Sequence, residues 1–225
     1  MKSFRMGVLY IGQSPRPQNV KELRRILGEG MQIIEAGCLD GLSDSEIKTL
    51  TPNGSNDTLY TKLPTGKEVV ISKNEVTKRA KAHLEAFEKQ GLDVVLMFCT
   101  GAFHGLRTRG CVIFPSAVLE GYLQAVLPEG RLGVFTPLPS QVDQTMNKWK
   151  RPNWELTVVP LIPSSESEEV IGSAAERMVR GKPDLIALDC MGYTQKMKER
   201  IRSRTGIRTV LAVSLAARAV HELID

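Results

Sequence analysis

The chain has 225 residues and a mass of 24.9 kDa, with 42% hydrophobic and 24% charged residues, a balance that excludes a disordered, collagenous or coiled-coil protein. No apolar run approaches the roughly 20 residues that span a bilayer, and the length suits one α/β domain or two small ones. The net charge of +5 divides as 16 basic against 14 acidic residues before residue 131 and 14 against 11 from there on, so neither half is a basic tail.

Short aliphatic or β-branched runs alternate with longer segments of helical period, the pattern of βαβ units around largely parallel sheets. In chain order the pattern predicts a strand over 5–11, a helix over 17–28 and a strand over 31–36. Two β-rich runs within 57–72 flank Pro64-Thr-Gly66 and predict a β-hairpin. A helix over 74–90, strands over 93–98 and 111–114, and a helix over 116–127 complete the first half. The second half reads as strands over 131–136, 155–161, 184–189 and 208–213, with helices over 139–149, 165–180, 194–204 and 214–224.

The halves repeat one another. Gly7–Gly12 lies on Gly133–Leu138 at an offset of 126, Leu92–Gly101 on Pro183–Gly192 at 91, and Val112–Ser116 on Val210–Ser214 at 98, each of the last pair opening a helix with a serine able to cap it. The drop from 126 to 91 locates about 35 extra residues at 39–73. The expected organisation is therefore two pseudo-symmetric α/β/α halves with mainly parallel sheets, 1–130 and 131–225, the first carrying the hairpin insertion at 39–73, read as decoration or an oligomer contact ahead of a lid.

In open parallel sheets, ligands bind beyond the carboxyl ends of the strands, so those residues are the first candidates. The offset of 91 places Cys99 on Cys190, each followed within two residues by a glycine, Gly101 or Gly192, that lets backbone amides approach a ligand. Two thiols on opposite sides of an acidic carbon supply the base and the acid that proton transfer across it needs. A thiolate requires a pKa below the free value of about 8.5, for which a following helix N-terminus is one source. Ser14 and Arg16, in a Pro-interrupted strand-to-helix loop, are expected to hold a carboxylate, and Thr100, Thr136 and Tyr193 occupy similar strand-end positions. Cys38 and Cys111, beside or within apolar strands, read as structural.

Ile11-Gly-Gln-Ser-Pro-Arg-Pro17, Asp40-Gly-Leu-Ser43, Phe98-Cys-Thr-Gly101 and Leu188-Asp-Cys-Met-Gly-Tyr193 occur in this order along essentially the whole chain, which resembles the AroM family within the aspartate/glutamate/hydantoin racemase superfamily. The resemblance implies two α/β/α halves, a cleft between them, no cofactor, and Cys99 and Cys190 as the acid and base. Amino-acid racemases of that superfamily usually follow their cysteines with Asn-Thr and with Thr-His or Thr-Glu. Thr100-Gly101 and Met191-Gly192 stand there instead, and the second run is closer to the pattern of hydantoin racemases.

The expectation is a cofactor-independent racemase-like isomerase of a small carboxylate- or carbonyl-bearing metabolite. The alternative is a binding or regulatory protein for an aromatic-pathway metabolite, with the thiols lining its pocket. With few scattered cysteines, no Cys-x-x-Cys or His-x-x-x-His pair and no export signal in the sequence, metal is not expected and the compartment expected is the cytoplasm. His104, five residues after Cys99, reads as a satisfied or exposed histidine, and the six basic residues within 195–208 read as the solvated face of a helix. The partner expected is a small anionic metabolite, with a homo-oligomer of the chain left open and neither nucleic acid nor membrane.

Overall fold

A computed structural model describes residues 4–224 and contains the predicted strands and helices, with ends shifted by a few residues. The first half runs β1 (Arg5–Tyr10), α1 (Pro17–Leu27), β2 (Gln32–Gly37), α2 (Asp44–Thr49), β3 (Thr58–Lys62), β4 (Glu68–Ser72), α3 (Lys73–Lys89), β5 (Val94–Phe98), β6 (Cys111–Ile113) and α4 (Pro115–Val126). The second runs β7 (Gly130–Thr136), α5 (Val142–Trp149), β8 (Trp154–Pro160), α6 (Glu168–Arg180), β9 (Leu185–Leu188), α7 (Gln195–Thr205), β10 (Thr209–Leu211) and α8 (Ala212–Glu222). Short α2 was not expected, although Ser43 and Glu46 form a capping box in which each side chain bonds the other's backbone N–H.

Both main sheets are four-stranded and parallel throughout, in the orders β2-β1-β5-β6 and β8-β7-β9-β10, so the same winding occurs twice. The register repeats as well. Leu9 pairs with Met97 and Phe135 with Leu188, which reproduces the offsets of 126 and 91. At the fourth strand the sequence alignment is one residue out. Val95 pairs with Val112 and Ile186 with Thr209, an offset of 97. The helices begin at Pro115 and Ala212, so Ser116 and Ser214 lie inside the first turn instead of capping it.

Contact density divides the chain into one unit of residues 1–118 and 216–225 and another of 119–215. The boundaries fall inside α4 and α8, the helices that follow the fourth strand of each half. In the first unit, Val76, Ala80, Leu84 and Phe87 form the buried stripe of α3, and Gly7 of β1 lets the helix close in, since a Cβ there would stand 2.9 Å from the Phe87 ring. In the second, Ile171, Ala174, Ala175 and Met178 of α6 are buried, and a Cβ at Gly133 would meet Met178 sulfur at 2.5 Å. Each buried Leu, Val or Phe in these cores contributes roughly 1.5–3 kcal/mol.

The insertion is tied into the first unit. β3 and β4 pair antiparallel, with Leu59 opposite Ile71 and Thr61 opposite Val69, and Leu59, Leu63 and Ile71 belong to the buried core. Buried Asp57 accepts from Ser72 hydroxyl at 2.7 Å and from the N–H groups of Asn53 and Asn74 at 2.9 and 2.8 Å. Burial by itself would raise that carboxyl's pKa, but these bonds hold it below the usual range.

Candidate functional site

Beyond β1, the loop Ile11–Arg16 is held by Asp40, a residue whose role the sequence did not reveal. Its carboxylate accepts from Ser14 N–H at 2.7 Å, Ser14 hydroxyl at 2.6 Å and Gly37 N–H at 2.7 Å. Position 37 has to be glycine, because a Cβ there would stand 2.4 Å from Gly12 carbonyl oxygen and 2.7 Å from Ser14 nitrogen. Arg79 of α3 clamps the same turn from below through the carbonyls of Cys38 and Asp40. Ser14 therefore places both of its donors on Asp40.

Arg16 lies in the same loop. Its Nε donates to Gln13 carbonyl at 2.6 Å and one Nη to Thr61 hydroxyl oxygen at 3.4 Å, while its backbone N–H donates to Glu35 carboxylate at 2.7 Å. Burial lowers the guanidinium's pKa, opposed by the negative charges of Asp40 and Glu35, and an arginine so placed remains a cation. Tyr10 is 3% exposed; burial first, then the charge of Glu35 and a hydrogen bond to its carboxylate, raise its pKa.

Cys99 follows β5 directly, partly exposed, with Gly101 N–H donating to its sulfur at 3.3 Å. Cys190 lies at the equivalent place after β9, also partly exposed, with Gly192 N–H donating to its sulfur at 3.4 Å. A backbone N–H aimed at sulfur favours thiolate over thiol. A Cβ at Gly101 would stand 3.1 Å from Leu59, 3.4 Å from the Phe103 ring and 3.4 Å from Cys99 sulfur, and one at Gly192 would stand 3.3 Å from Pro163 and 3.6 Å from Cys190 sulfur, so apolar side chains flank each glycine beside its thiol.

The two settings differ just before the cysteine. Phe98 stacks at a tilt on Tyr10, centroids 5.0 Å apart, whereas Asp189 is a buried carboxylate accepting from Lys148 ammonium at 2.8 Å on both oxygens and from Trp149 indole N–H at 2.7 Å. Of the other expected ligands, Thr136 is buried with its oxygen taking the Thr145 hydroxyl at 3.0 Å, and Thr100 is buried. Tyr193 is fully buried and its hydroxyl donates to Leu161 carbonyl at 2.5 Å. The phenol thus pins the Cys190 loop to the segment after β8.

Cys38 is fully buried, and burial pushes its thiol up to about 12, whereas Cys111, first residue of edge strand β6, is exposed, contrary to its reading as a buried structural thiol. Three-residue strands carry too little alternation to reveal which side chain faces out. In the folded protein near pH 8, iodoacetamide should therefore label Cys111 readily and leave Cys38 unmodified, since only about one Cys38 in ten thousand would be thiolate. Peptide mass spectrometry reads this, and early labelling of Cys38 would contradict it. His104 is exposed, and the basic face of α7 is partnered, Arg200 and Arg204 by Glu168 and Lys196 by Glu166.

Residues 6–224 match the family described as AroM protein. No curated protein matches the sequence. Among solved structures, allantoin racemase from Klebsiella pneumoniae is 17% identical with a TM-score of 0.66, covering 99% of this chain and 88% of that one. Arylmalonate decarboxylase is 14% identical with a TM-score of 0.62, covering 96% and 92%. Maleate isomerase from Pseudomonas putida S16 is 12% identical with a TM-score of 0.62, covering 99% and 93%. At such identities the likeness is one of fold. Among the described residues no helix is long and apolar enough to cross a membrane.

Proposed function

The chain belongs to the AroM family, and from that premise we propose that it is a racemase-like, cofactor-independent isomerase of a small carboxylate, with Cys99 and Cys190 moving a proton at one carbon. The observation that carries the reading is the matched pair of sulfurs. Each stands just past the third strand of the same winding, and each accepts the N–H of the glycine two residues on. Solved structures of this fold include proteins named for racemisation, double-bond isomerisation and decarboxylation.

In the proposed mechanism one cysteine, as thiolate, removes the proton next to the carboxylate, and the other, as thiol, returns one from the opposite face. The negative charge that develops on the substrate is spread into its carboxylate, which Arg16 binds. Reversal exchanges the roles of the thiols, and each sulfur must come within about 3.5 Å of the carbon. Thr100, Gly101 and Gly192 border the reacting carbon, and Tyr193 and Thr136 hold the loops that carry the contacts. The setting proposed is the cytoplasm.

The test is a panel of small chiral carboxylates incubated with the enzyme in heavy water. A substrate stabilises the protein by about 2.7 kcal/mol at 100 times its dissociation constant and acquires deuterium at the carbon next to its carboxylate. Stabilisation without deuterium uptake or product would make the protein a binding protein instead.

A further inference from the structure

We propose that the inserted hairpin is the specificity element beside Cys99. Thr61 and Arg16 jointly take a carboxylate of the substrate, while Leu59 forms an apolar wall on the Cys99 side of it. The inference rests on Cys99 being an acid/base group, and it names the substrate class of that side of the site.

Leu59 and Thr61 are two apart on β3 and so share a face, with Cα atoms about 7 Å apart. That face lies over the ends of two neighbouring parallel strands. Thr61 meets the end of β1, where a Cβ on Gly12 would stand 2.6 Å from both Thr61 hydroxyl oxygen and Arg16 Nη. Leu59 meets the end of β5, across Gly101 from Cys99. Val69 and Ile71, opposite them on β4, and the Asp57 anchor hold the face in place.

The chemistry fits an anion. Thr61 oxygen accepts from Arg16, which leaves the Thr61 hydroxyl hydrogen to donate, and the other Nη of Arg16 meets no acceptor among the described residues. A carboxylate accepts from both a guanidinium Nη and a threonine hydroxyl, so one such group suits this pair of donors. Leu59 adds an apolar boundary on which a charged substituent would be unpaired.

Two alkylating probes of the same size and opposite demands test this without a substrate: iodoacetate carries the carboxylate and iodoacetamide is neutral. In both, the thiolate displaces iodide. Rates at Cys99 are read by peptide mass spectrometry against exposed Cys111 in the same molecule, with unmodified Cys38 as the gauge of folding. The iodoacetate-to-iodoacetamide ratio at Cys99 should exceed that at Cys111 by about 10-fold, as expected for a charged probe drawn to a cation. Arg16→Gln should bring it down to the Cys111 value. Thr61→Val, of nearly the same shape, should lower it about 2- to 10-fold while leaving the iodoacetamide rate alone, which a merely structural role would not do. Leu59→Ala should speed both reagents alike. Equal ratios at Cys99 and Cys111 in the unaltered protein, or a Thr61→Val protein slowed equally toward both reagents, would overturn the proposal. A raised ratio with no deuterium uptake by any carboxylate would leave an anion pocket beside a thiol that is not catalytic, and uptake with equal ratios would leave the isomerase and remove the hairpin from it.

Discussion

Cys99→Ala and Cys190→Ala will each abolish inversion of the substrate, on the order of 10²- to 10⁴-fold, the usual worth of a positioned acid or base. They will differ in what survives. Each variant retains one thiol on one side of the carbon, so it can still remove and return a proton on that side and exchange it for deuterium with retention. The two variants should therefore prefer opposite enantiomers. Chiral chromatography and mass spectrometry of product formed in heavy water distinguish inversion from exchange. Cys111→Ala should leave both rates unchanged, because that exposed thiol stands at the first residue of β6, at the opposite end of the strand from the carboxyl ends that carry the candidate site. If Cys99→Ala inverts at the full rate, the two-thiol mechanism is wrong. A decarboxylation or double-bond isomerisation carried by Cys190 alone then becomes the better account.

Asp189→Ala should produce the largest stability loss, about 3 kcal/mol. Its carboxylate is 6% exposed, and its removal leaves the Lys148 ammonium and the Trp149 indole N–H without the acceptor they share. Breaking a buried pair from one side costs about 3–5 kcal/mol, and Lys148, a quarter exposed, puts the loss at the low end. Removing both charges in Asp189→Ala/Lys148→Met should recover part of it, because no ammonium is then left behind. Urea unfolding followed by tryptophan fluorescence is well suited, since both tryptophans, Trp149 and Trp154, lie in the unit that holds Asp189. A double variant less stable than Asp189→Ala would show that the pair is not what the carboxylate contributes. Because Asp189 immediately precedes Cys190, the same variant should also slow proton transfer in whatever fraction remains folded.

Where the fold and the site were legible, the signal was one-dimensional. Alternation and helical period marked the strands and helices, because each reports one face turned to a core. The offsets of 126 and 91 were readable for the same reason: Gly7 and Gly133 each admit a helix against a central strand, and Phe87 and Met178 are what they admit. The offset at the fourth strand was misjudged by one because Val112 and Val210 look alike, while register is decided by hydrogen bonds to the neighbouring strand.

The sequence by itself thus determined the duplicated parallel winding and the placing of Cys99 and Cys190 at equivalent strand ends. Only the tertiary structure decided what surrounds each thiol within its own unit. Leu59 and Thr61 come from some 40 residues away in the chain and reach Gly101, Arg16 and Gly12 because an antiparallel hairpin lays alternate side chains over adjacent strand ends. Asp40 captures the donors of Ser14, and Leu161 that of Tyr193, through bonds spanning 26 and 32 residues. No periodicity encodes such pairings, because a polar side chain in a loop finds its partner through where the strands place the loops and not through its spacing along the chain.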